Sequence, residues 1–387
     1  MKSQEQKIQE ALTEGVDQVL PNKEALTKLM AGRKIRLYLG IDPTGSKLHL
    51  GHTVPLRKLQ EFADLGHEAI IVFGTGTVLT GDPSLRDQAR PKISEKEIKE
   101  NIKTWRTQTG KVLDFSKVKI KHNGDWLLKL TLKEIINIAS HISAVKLFQR
   151  DMFQKRLKRG DTIWTNETLY PLMQAYDSVF LDVDLEIGGT DQIFNMLIGR
   201  ELQQKMKKRE KFVITVPMIL GIDGKQMSKT SGNCIWLTDS ADQMFGKIMS
   251  IPDSLINSYF EGLTGIALSE VANFPPKDAK ARLAREIVSI YHSKKEALKA
   301  EKEFNQIFRD KRLPSQIPIV SLKEKELNIL DLLIKIKLAP SRAEAKRLIE
   351  QGGVKIAGQV QRDWRKQVKI KKGEVIRVGK RKFIKIA

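Results

Sequence analysis

Short apolar runs bounded by glycine or by charged residues recur in the first part of the chain. Three of them, at 35–41, 68–74 and 213–221, have the length and continuity typical of buried parallel strands. Residues 53–65, between the first two runs, have the spacing of an amphipathic helix. A strand–helix–strand order predicts a doubly wound, Rossmann-like α/β core with a parallel sheet.

The hydrophobic pattern changes twice beyond the first strands. Residues 92–145 carry helix signals, including possible capping boxes that start at Ser94 and Thr131, and we expect a helical insertion packed on the core. Gly110 is expected to end the first of these helices. After residue 240 the strand signals stop, so residues 240–312 are predicted to be mostly helical.

The last part of the chain has its own pattern. A helix is predicted at 327–337, and a second helix is predicted to begin at the capping box of Ser341 and to close at Gly352 and Gly353. Short alternating segments follow and indicate a small sheet. We therefore expect a small α+β unit at 321–387.

Charge adds a partner to this picture. The 387 residues carry a formal net charge of +22, and residues 321–387 hold 19 Lys and Arg against 7 Asp and Glu, a net of +12. Such an excess is typical of polyanion binding, although a generally lysine-rich source would also produce it. The single cysteine, Cys234, excludes an internal disulfide, and no apolar run approaches about 18 residues. We expect a soluble, cytoplasmic protein without membrane partners.

Two of the six histidines stand three residues apart, at a predicted strand-to-helix junction. Zinc peptidases place their histidines four apart around a glutamate, whereas His49 and His52 have no carboxylate between them, so a metal site is disfavoured. The two remaining interpretations are structural histidines at a helix start and a site for phosphate oxygens at a helix N-terminus, with Gly51 allowing close approach. Asp42 and Thr44 precede this junction and add a carboxylate and a hydroxyl.

The segment HLGH at 49–52 resembles the HIGH signature of class I aminoacyl-tRNA synthetases, and QMSKT at 226–230 resembles their second signature, KMSKS. The wider match is to bacterial tyrosyl-tRNA synthetases. It consists of Y-x-G-x-D-P-T, HLGH, GDPS, YPLMQAYD, GGTDQ and QMSKT in the family's order, together with a basic tail similar to the S4-like RNA-binding domain. One departure is Gln226, which replaces the first lysine of the second signature, although Lys225 directly precedes it.

The resemblance implies the roles of the site residues. Those expected to bind ATP are Asp42, Thr44, Gly51, Gly189, Asp191, Gln192 and Lys229. Those expected to bind tyrosine are Tyr38 and Asp177 at the phenol hydroxyl, and Asp82, Tyr170 and Gln174 at the ammonium group. Those expected to promote the reaction at the phosphates are His49, His52, Lys229, Thr230, Arg86 and Arg90. Adenylyl transfer needs alignment of the reactants and neutralised charge on pyrophosphate, and no protein nucleophile, which suits these residue types.

The resemblance also implies the partners and the domains. The expected partners are tyrosine, ATP with Mg²⁺, tRNA(Tyr) and a second copy of the chain, with no structural metal. The expected domains are a catalytic domain at 1–239, with an insertion at about 86–150 and a signature loop at 222–234, a helical anticodon-binding-type domain at 240–320 and an S4-like domain at 321–387. The candidate RNA contacts are Arg342, Lys346, Arg347, Arg362, Arg365 and Lys366.

Several alternatives stay open from the residues alone. Asp82 and Asp191 lie in GDP and GTD, which are common turn sequences. Tyr170, Gln174 and Asp177 would share one helical face, which favours a functional role. The expected activity is ligation of tyrosine to tRNA. Its rivals are a tryptophanyl enzyme with the same core, a small-molecule nucleotidyltransferase with the HxGH motif, and a non-catalytic RNA-binding paralogue.

Overall fold

The computed structural model describes residues 2–84, 93–228, 231–308, 317–322, 324–379 and 382–387. The chain divides into two compact units, Met1–Ala297 and Leu298–Ala387. Among the described residues, no helix is both long enough and apolar enough to cross a bilayer.

A six-stranded sheet forms the centre of the first unit. Its strands are β1 (Gln18–Leu20), β2 (Arg36–Ile41), β3 (Glu68–Phe73), β4 (Val118–His122), β5 (Leu185–Gly189) and β6 (Phe212–Val216). They lie in the order β1-β6-β5-β2-β3-β4. β1 is antiparallel to β6, and all other neighbours are parallel. The predicted doubly wound core is confirmed.

Helices connect these strands and continue along the chain after the last of them. They are α1 (Gln4–Ala11), α2 (Lys23–Gly32), α3 (Leu50–Asp64), α4 (Thr77–Thr80), α5 (Glu95–Ile102), α6 (Trp105–Thr109), α7 (Gly124–Leu127), α8 (Leu132–Ser140), α9 (Ala144–Phe148), α10 (Asp151–Arg159), α11 (Thr165–Leu181), α12 (Ile193–Lys207), α13 (Ala241–Ile248), α14 (Ile256–Leu263), α15 (Pro276–Tyr291) and α16 (Lys294–Phe308). Helices α13 to α16 confirm the predicted helical region after residue 240.

The central strands form where β-branched and other apolar residues run without interruption. β3 (EAIIVF) and β6 (FVITV) are buried along nearly their whole length, as expected for parallel strands covered on both faces. The strands predicted at 35–41 and 68–74 are therefore confirmed, whereas the strand predicted at 213–221 is confirmed only in its first part, because β6 ends at Val216. The helix predicted at 53–65 is α3, which begins at Leu50.

The expectation of a purely helical insertion at 92–145 is wrong in one segment. β4 lies within it and pairs in parallel with β3, so this segment belongs to the sheet. Its sequence VKIKH alternates apolar and basic residues, and its burial alternates accordingly, because an edge strand is only half covered. The capping boxes at Ser94 and Thr131 are confirmed at the starts of α5 and α8. Gly110 follows α6, so it does not end the first helix.

The direction of winding reverses between β2 and β5. From β2 the chain proceeds to β3 and β4 on one side, whereas β5 and β6 lie on the other side. Ligands of such sheets bind outside the carboxyl ends of the strands at this switch point. Tyr38 of β2 and Glu186 of β5 are directly paired across it. The carboxyl ends of these strands, at Ile41 and Gly189, therefore mark the place of a site.

The second unit is a small α+β structure, as predicted. Its elements are β7 (Ile319–Val320), β8 (Glu326–Asn328), α17 (Ile329–Lys335), α18 (Arg342–Glu350), β9 (Val354–Ile356), β10 (Gln359–Gln361), β11 (Gln367–Lys369), β12 (Val375–Val378) and β13 (Lys382–Ile386). The strands form a five-stranded sheet β10-β9-β12-β13-β7 and a separate pair β11-β8. Leu332, Leu333, Ile349 and Val354 are fully buried in its core.

Candidate active site

The histidine pair lies at the N-terminus of α3. The backbone N–H of His49 donates to Nδ1 of His52 at 3.2 Å, and the two ring centroids are 3.8 Å apart. This bond makes His52 Nδ1 an acceptor, so the neutral imidazole carries its proton on Nε2. A Cβ on Gly51 would stand 3.0 Å from His49 Nδ1, so the space that glycine leaves is used by the neighbouring imidazole.

The segment after the second signature pairs with the histidine motif. Leu50 N–H donates to the Ile235 carbonyl at 3.0 Å, and Leu237 N–H donates to the Leu48 carbonyl at 2.9 Å. The ring of His49 lies edge-on to Trp236, with centroids 5.8 Å apart. These contacts hold the start of α3 against the chain that leaves the signature loop.

The described part of that loop is organised by Asn233, which is not among the residues selected from the sequence. Asn233 is buried, its Oδ1 accepts from Ser228 N–H at 2.9 Å, and its Nδ2 donates to the Gln226 carbonyl and to Asp223 Oδ1, both at 2.9 Å. Lys225 is exposed. Four predicted site residues lie outside the described residues: Arg86, Arg90, Lys229 and Thr230.

Asp42 directly follows β2, and its side chain packs closely against the backbone at Gly74. Its Oδ1 accepts a hydrogen bond from Thr77 Oγ1 at 2.7 Å. A Cβ on Gly74 would lie 1.9 Å from the same oxygen, so only glycine fits there. The N–H of Thr44 donates to the Asp42 carbonyl at 2.8 Å, which closes a tight turn beyond the strand.

Asp177 of α11 is buried and holds two donors that the sequence analysis missed. Its Oδ2 accepts from Asn123 Nδ2 and its Oδ1 from Trp126 Nε1, each at 2.9 Å. A carboxylate has about four acceptor positions, so capacity for a further donor remains. Burial raises the pKa of Asp177 well above its ordinary value, while the bonds from Asn123 and Trp126 act in the opposite direction.

Tyr38 is fully buried, and its hydroxyl lies 3.0 Å from Ser178 Oγ. Burial raises the pKa of Tyr38 well above its ordinary value, and the nearby charge of Glu186 raises it further. The buried ammonium of Lys211 donates to Glu186 and, at 2.9 Å, to the same Ser178 Oγ that contacts Tyr38. Glu186 is a charged residue within an otherwise apolar strand. A charge at such a position needs buried partners, so it was the sign of this network in the sequence.

Asp82, Gln192 and Asp191 come together at the carboxyl edge. Nε2 of Gln192 donates to Asp82 Oδ2 at 2.9 Å and to Asp191 Oδ2 at 3.1 Å. Burial raises the pKa of Asp191, and the neighbouring charge of Asp82 also raises it. A Cβ on Gly189 would lie 2.5 Å from Asp191 Oδ1, so this glycine gives room to the carboxylate.

Tyr170 and Gln174 lie on the same helix as Asp177, and Tyr170 is buried. Nε2 of Gln174 donates to Glu186 Oε1 at 3.0 Å. Its Oε1 is buried and accepts no hydrogen bond from any described residue, which leaves it available to a ligand. Arg150, also missed from sequence, is buried beside this group and donates from Nη2 to Ser84 Oγ at 2.6 Å.

The described part of the chain contains no cluster of three or more His, Cys, Asp or Glu side chains arranged to hold a metal ion. The site is instead an edge where buried carboxylates, an amide oxygen and an imidazole pair surround the switch point. Such an edge can bind an ammonium group, a hydroxyl and phosphate oxygens at the same time.

Within the second unit, two of the six predicted RNA contacts lie against one aromatic side chain. Lys346 Nζ lies 4.4 Å and the Arg365 guanidinium 4.7 Å from the ring centroid of Trp364. Arg347 pairs with Glu344. The other candidates differ in their partners: Arg342 pairs with Asp331, Lys366 donates to Gln361 at 2.7 Å, and Arg362 is exposed.

Comparisons with known proteins agree with this architecture. A family model described as tRNA synthetases class I (W and Y) matches residues 30–309, and one described as the tyrosine--tRNA ligase SYY-like C-terminal domain matches residues 304–386. The tyrosine--tRNA ligase of Thermotoga maritima is 42% identical over 386 residues, which cover 97% of this chain and 96% of that protein. That of Burkholderia mallei is 42% identical, covering 96% and 93%.

Solved structures match the fold. A C-terminally truncated mitochondrial tyrosyl-tRNA synthetase of Aspergillus nidulans aligns with a TM-score of 0.67 at 23% identity, over 80% of this chain and 95% of that one. The tyrosyl-tRNA synthetase of Archaeoglobus fulgidus complexed with L-tyrosine aligns with a TM-score of 0.62 at 21% identity, over 78% and 100%. Together with the sequence matches, this means that the chain belongs to the class I tRNA synthetase family of the W and Y type.

Proposed function

We propose that this chain activates tyrosine with ATP and transfers the tyrosyl group to tRNA(Tyr), releasing AMP and pyrophosphate. The chain is an aminoacyl-tRNA synthetase, a tyrosine--tRNA ligase, like the curated relatives that match it over nearly its whole length. The observation that carries the choice of tyrosine over tryptophan is the buried pair Tyr38 and Asp177. A hydroxyl can both donate to the carboxylate and accept from the phenol, whereas an indole N–H can only donate.

The ammonium group of tyrosine is assigned to Asp82, Tyr170 and Gln174. The Oε1 of Gln174, buried and without a donor among the described residues, supports this assignment, because it can accept one of the ammonium protons. Asp82 supplies a negative charge within the same cluster. A small apolar amino acid would satisfy this end of the pocket but leave the buried groups at the phenol end unpaired.

The ATP side is assigned to the carboxyl edge of the sheet. Imidazoles of His49 and His52 at a helix N-terminus are suited to phosphate oxygens. The turn of Asp42 and Thr44 adjoins them, Gly51 lies between the imidazoles, and Gly189, Asp191 and Gln192 are assigned to the ribose and the reacting carboxylate. The carboxylate of tyrosine attacks the α-phosphorus, so the site acts by alignment and by charge.

The basic residues Arg86, Arg90 and Lys229, with Thr230, are assigned to pyrophosphate. In the sequence, Arg86 and Arg90 follow Ser84 closely, and Lys229 and Thr230 shortly precede Asn233. Positive groups that meet the leaving group as charge develops there lower the barrier without tightening the binding of tyrosine. ATP enters as its Mg²⁺ complex, with the ion held mainly by phosphate oxygens and water.

The domain organisation is part of the proposal. Residues 1–239 form the catalytic part, 240–320 a helical tRNA-binding part and 321–387 an S4-like RNA-binding part. The last of these carries a net charge of +12, which supports a grip on phosphates. In it, the cationic side chains of Lys346 and Arg365 flank Trp364, a pairing suited to an unstacked base beside a phosphate.

A second copy of the chain is the proposed partner at α8. Leu132 and Ile136, one helical turn apart, are 72% and 59% exposed, and nearby in sequence Val145 is 68% exposed. Apolar side chains grouped on one helix face favour burial against another protein surface. Light scattering coupled to size exclusion tests this: Ile136→Asp is expected to shift the protein from dimer to monomer, and a wild-type monomer would contradict it.

Pyrophosphate exchange with ATP, measured with each of the twenty amino acids, tests the activity. Tyrosine is expected to drive exchange, and charging of tRNA(Tyr) is expected to follow. Exchange driven as well by tryptophan as by tyrosine would contradict the proposed specificity, and its absence with every amino acid would contradict the activity.

A further inference from the structure

Arg150 is a buried cation in the first unit that none of the assigned roles uses. It directly precedes α10, is 6% exposed, and donates from Nη2 to Ser84 Oγ at 2.6 Å. Its guanidinium carbon lies 4.8 Å from the ring centroid of Phe194. Arginine keeps its charge in proteins, so a buried guanidinium is stable only beside compensating anions.

Those anions are Asp82 and Asp191. The amide of Gln192 bridges the two carboxylates, with hydrogen bonds of 2.9 and 3.1 Å. The charges of both carboxylates act on Arg150, while burial lowers its pKa. Among the described residues, Arg150 nevertheless forms no direct ion pair with either of them, so it faces the pair without being neutralised by contact.

The guanidinium also has an unused donor. Nη1 of Arg150 is buried and donates to no described residue. A buried N–H of a charged group that lacks an acceptor is unfavourable, and an anionic oxygen at hydrogen-bonding distance removes that penalty. Arg150 is therefore suited to receive an anionic oxygen of a ligand.

The chemistry of the reactants indicates which oxygen this is. In the proposed function Asp82 binds the ammonium group and Asp191 the ribose. In tyrosyl-adenylate, the carboxyl carbon and the α-phosphorus lie between these two groups. Both N–H groups of Gln192 already donate to the two carboxylates, and its Oε1 accepts from Asn195 at 3.0 Å. The N–H groups of Gln192, which was assigned a place near the reacting carboxylate, are thus occupied by Asp82 and Asp191. Among the described residues of this cluster, Arg150 Nη1 is the buried donor that still lacks an acceptor for that carboxylate to fill.

We infer that Arg150 binds the α-carboxylate of tyrosine and holds it beside the α-phosphate of ATP. The inference rests on the proposed function and deepens it. Arg150 adds a cation that recognises the third polar group of the amino acid, after the hydroxyl and the ammonium. It also reduces repulsion between the attacking carboxylate and the phosphates.

Comparison of tyrosine with tyramine isolates this contact, because tyramine keeps the phenol and the ammonium group but lacks the carboxylate. In the full-length protein, Arg150→Met is expected to weaken tyrosine binding about 10- to 100-fold, the range for a lost charge-assisted hydrogen bond. Tyramine, followed as a competitive inhibitor, is expected to bind as tightly as before or more tightly, since a cation near its ammonium group has been removed.

Arg159→Met is the matched control. Arg159 is the last residue of the helix that Arg150 precedes and carries the same charge, but its side chain is 47% exposed and pairs with Asp161. Neither ligand is expected to bind differently. Arg150→Lys, which keeps the charge and loses the planar fork, is expected to give a smaller loss for tyrosine alone and decides the question if the methionine variant does not fold.

Equal weakening of tyrosine and tyramine would overturn the inference, because Arg150 would then support the pocket only through Ser84. Unchanged tyrosine binding in either folded variant would overturn it as well. Both results differ from failure of the proposed function, in which the wild-type protein itself does not bind tyrosine.

Discussion

Ser178 Oγ lies 3.0 Å from the hydroxyl oxygen of Tyr38, and Lys211 Nζ donates to the same Ser178 oxygen at 2.9 Å. Because the ammonium can only donate, Ser178 is free to direct its own proton to Tyr38. Its other acceptor, Glu186 Oε2, is at the longer distance of 3.5 Å. Among the described residues, the Tyr38 hydroxyl then donates only to the Gln174 carbonyl, at the long distance of 3.4 Å. Its proton can turn from there to the phenol oxygen of the substrate, so the buried Lys211 sets the direction of hydrogen bonding in the pocket.

Ser178→Ala removes the relay between Lys211 and Tyr38. We expect KM for tyrosine to rise about 3- to 10-fold, the effect of one neutral hydrogen bond, with kcat little changed because the phenol is remote from the reacting atoms. Discrimination against phenylalanine is expected to fall, since the Tyr38 hydroxyl loses the group that orients it and its proton can stay on the Gln174 carbonyl. Pyrophosphate exchange with the two amino acids measures both effects.

Ser289→Ala is the control for that substitution, because its hydroxyl donates to the Arg285 carbonyl on α15, away from the site. It is expected to leave both parameters unchanged. An unaltered preference for tyrosine over phenylalanine in Ser178→Ala would show that Tyr38 keeps its orientation without the relay.

Gly74→Ala tests the placement of Asp42. The added Cβ would lie 1.9 Å from Asp42 Oδ1, so the carboxylate must move from the carboxyl edge of the sheet. We expect kcat/KM for ATP to fall about 10- to 100-fold, the usual effect of displacing a positioning group by about 1 Å. In Gly32→Ala the new Cβ meets nothing within 4 Å, so activity should hold and stability should be unchanged or slightly higher. Full activity of folded Gly74→Ala would exclude a role for Asp42.

The hydrophobic and capping patterns of the sequence predicted those strands and helices whose pattern lies entirely within the element itself. β3 and β6 are continuous apolar runs, and the capping box of Thr131 lies within one helical turn. β4 escaped prediction because an edge strand buries one face only, so its lysines resemble a solvated segment.

The site was predictable only where it follows family motifs. Asp177 lies in such a motif, but its donors Asn123 and Trp126 lie about fifty residues away in the chain and carry no local signature. Arg150 is likewise one basic residue among many in the sequence, and only its burial distinguishes it. Contacts between distant segments decide such roles, and no periodicity records them.

Asp184 links the starts of β2 and β5 and predicts acid sensitivity. Burial raises its pKa, but hydrogen bonds from Arg33, from the Arg36 N–H and from Arg209 outweigh this and bring the pKa below its ordinary value of 3.8. A carboxylate with a lower pKa in the folded state adds stability above its unfolded pKa and loses that contribution as the pH falls through the folded pKa.

Asp184→Asn is therefore expected to lower the free energy of unfolding by about 1–3 kcal/mol near neutral pH. The difference from wild type should shrink once the pH falls below about 4. Urea unfolding at a series of pH values measures it, with Asp161→Asn as an exposed control of small effect. A difference independent of pH would mean that the Asp184 charge contributes nothing.

Lys229→Ala separates binding from reaction. A lysine that meets pyrophosphate mainly in the transition state should lower the rate of adenylate formation strongly and leave tyrosine affinity nearly intact. Lys225→Ala tests whether Lys225, which precedes Gln226, replaces the missing signature lysine. We expect it to lower the rate of adenylate formation less than Lys229→Ala does, again with tyrosine affinity nearly intact. Stopped-flow adenylate formation measures both. A tyrosine-binding defect with unchanged turnover would contradict the role of Lys229.

The arginines of the second unit differ in how free they are to meet RNA. Among the residues that the structure describes, Arg362 forms no ion pair, whereas Arg347 Nη2 lies 2.6 Å from Glu344 Oε1. Each arginine that contacts a phosphate releases counterions and steepens the salt dependence of binding. An arginine already beside a carboxylate contributes less, because Glu344 repels the phosphate that Arg347 would approach.

Arg362→Ala is therefore expected to reduce the slope of log K for tRNA binding against log salt concentration by about 0.7–0.9, the value of one phosphate contact. Arg347→Ala is expected to reduce it by less. Tyrosine-dependent pyrophosphate exchange should be unchanged in both variants, because activation of tyrosine does not involve the tRNA. Equal slopes for wild type and Arg362→Ala would show that this arginine lies outside the RNA contact, and a loss of exchange would show that it acts on the catalytic unit.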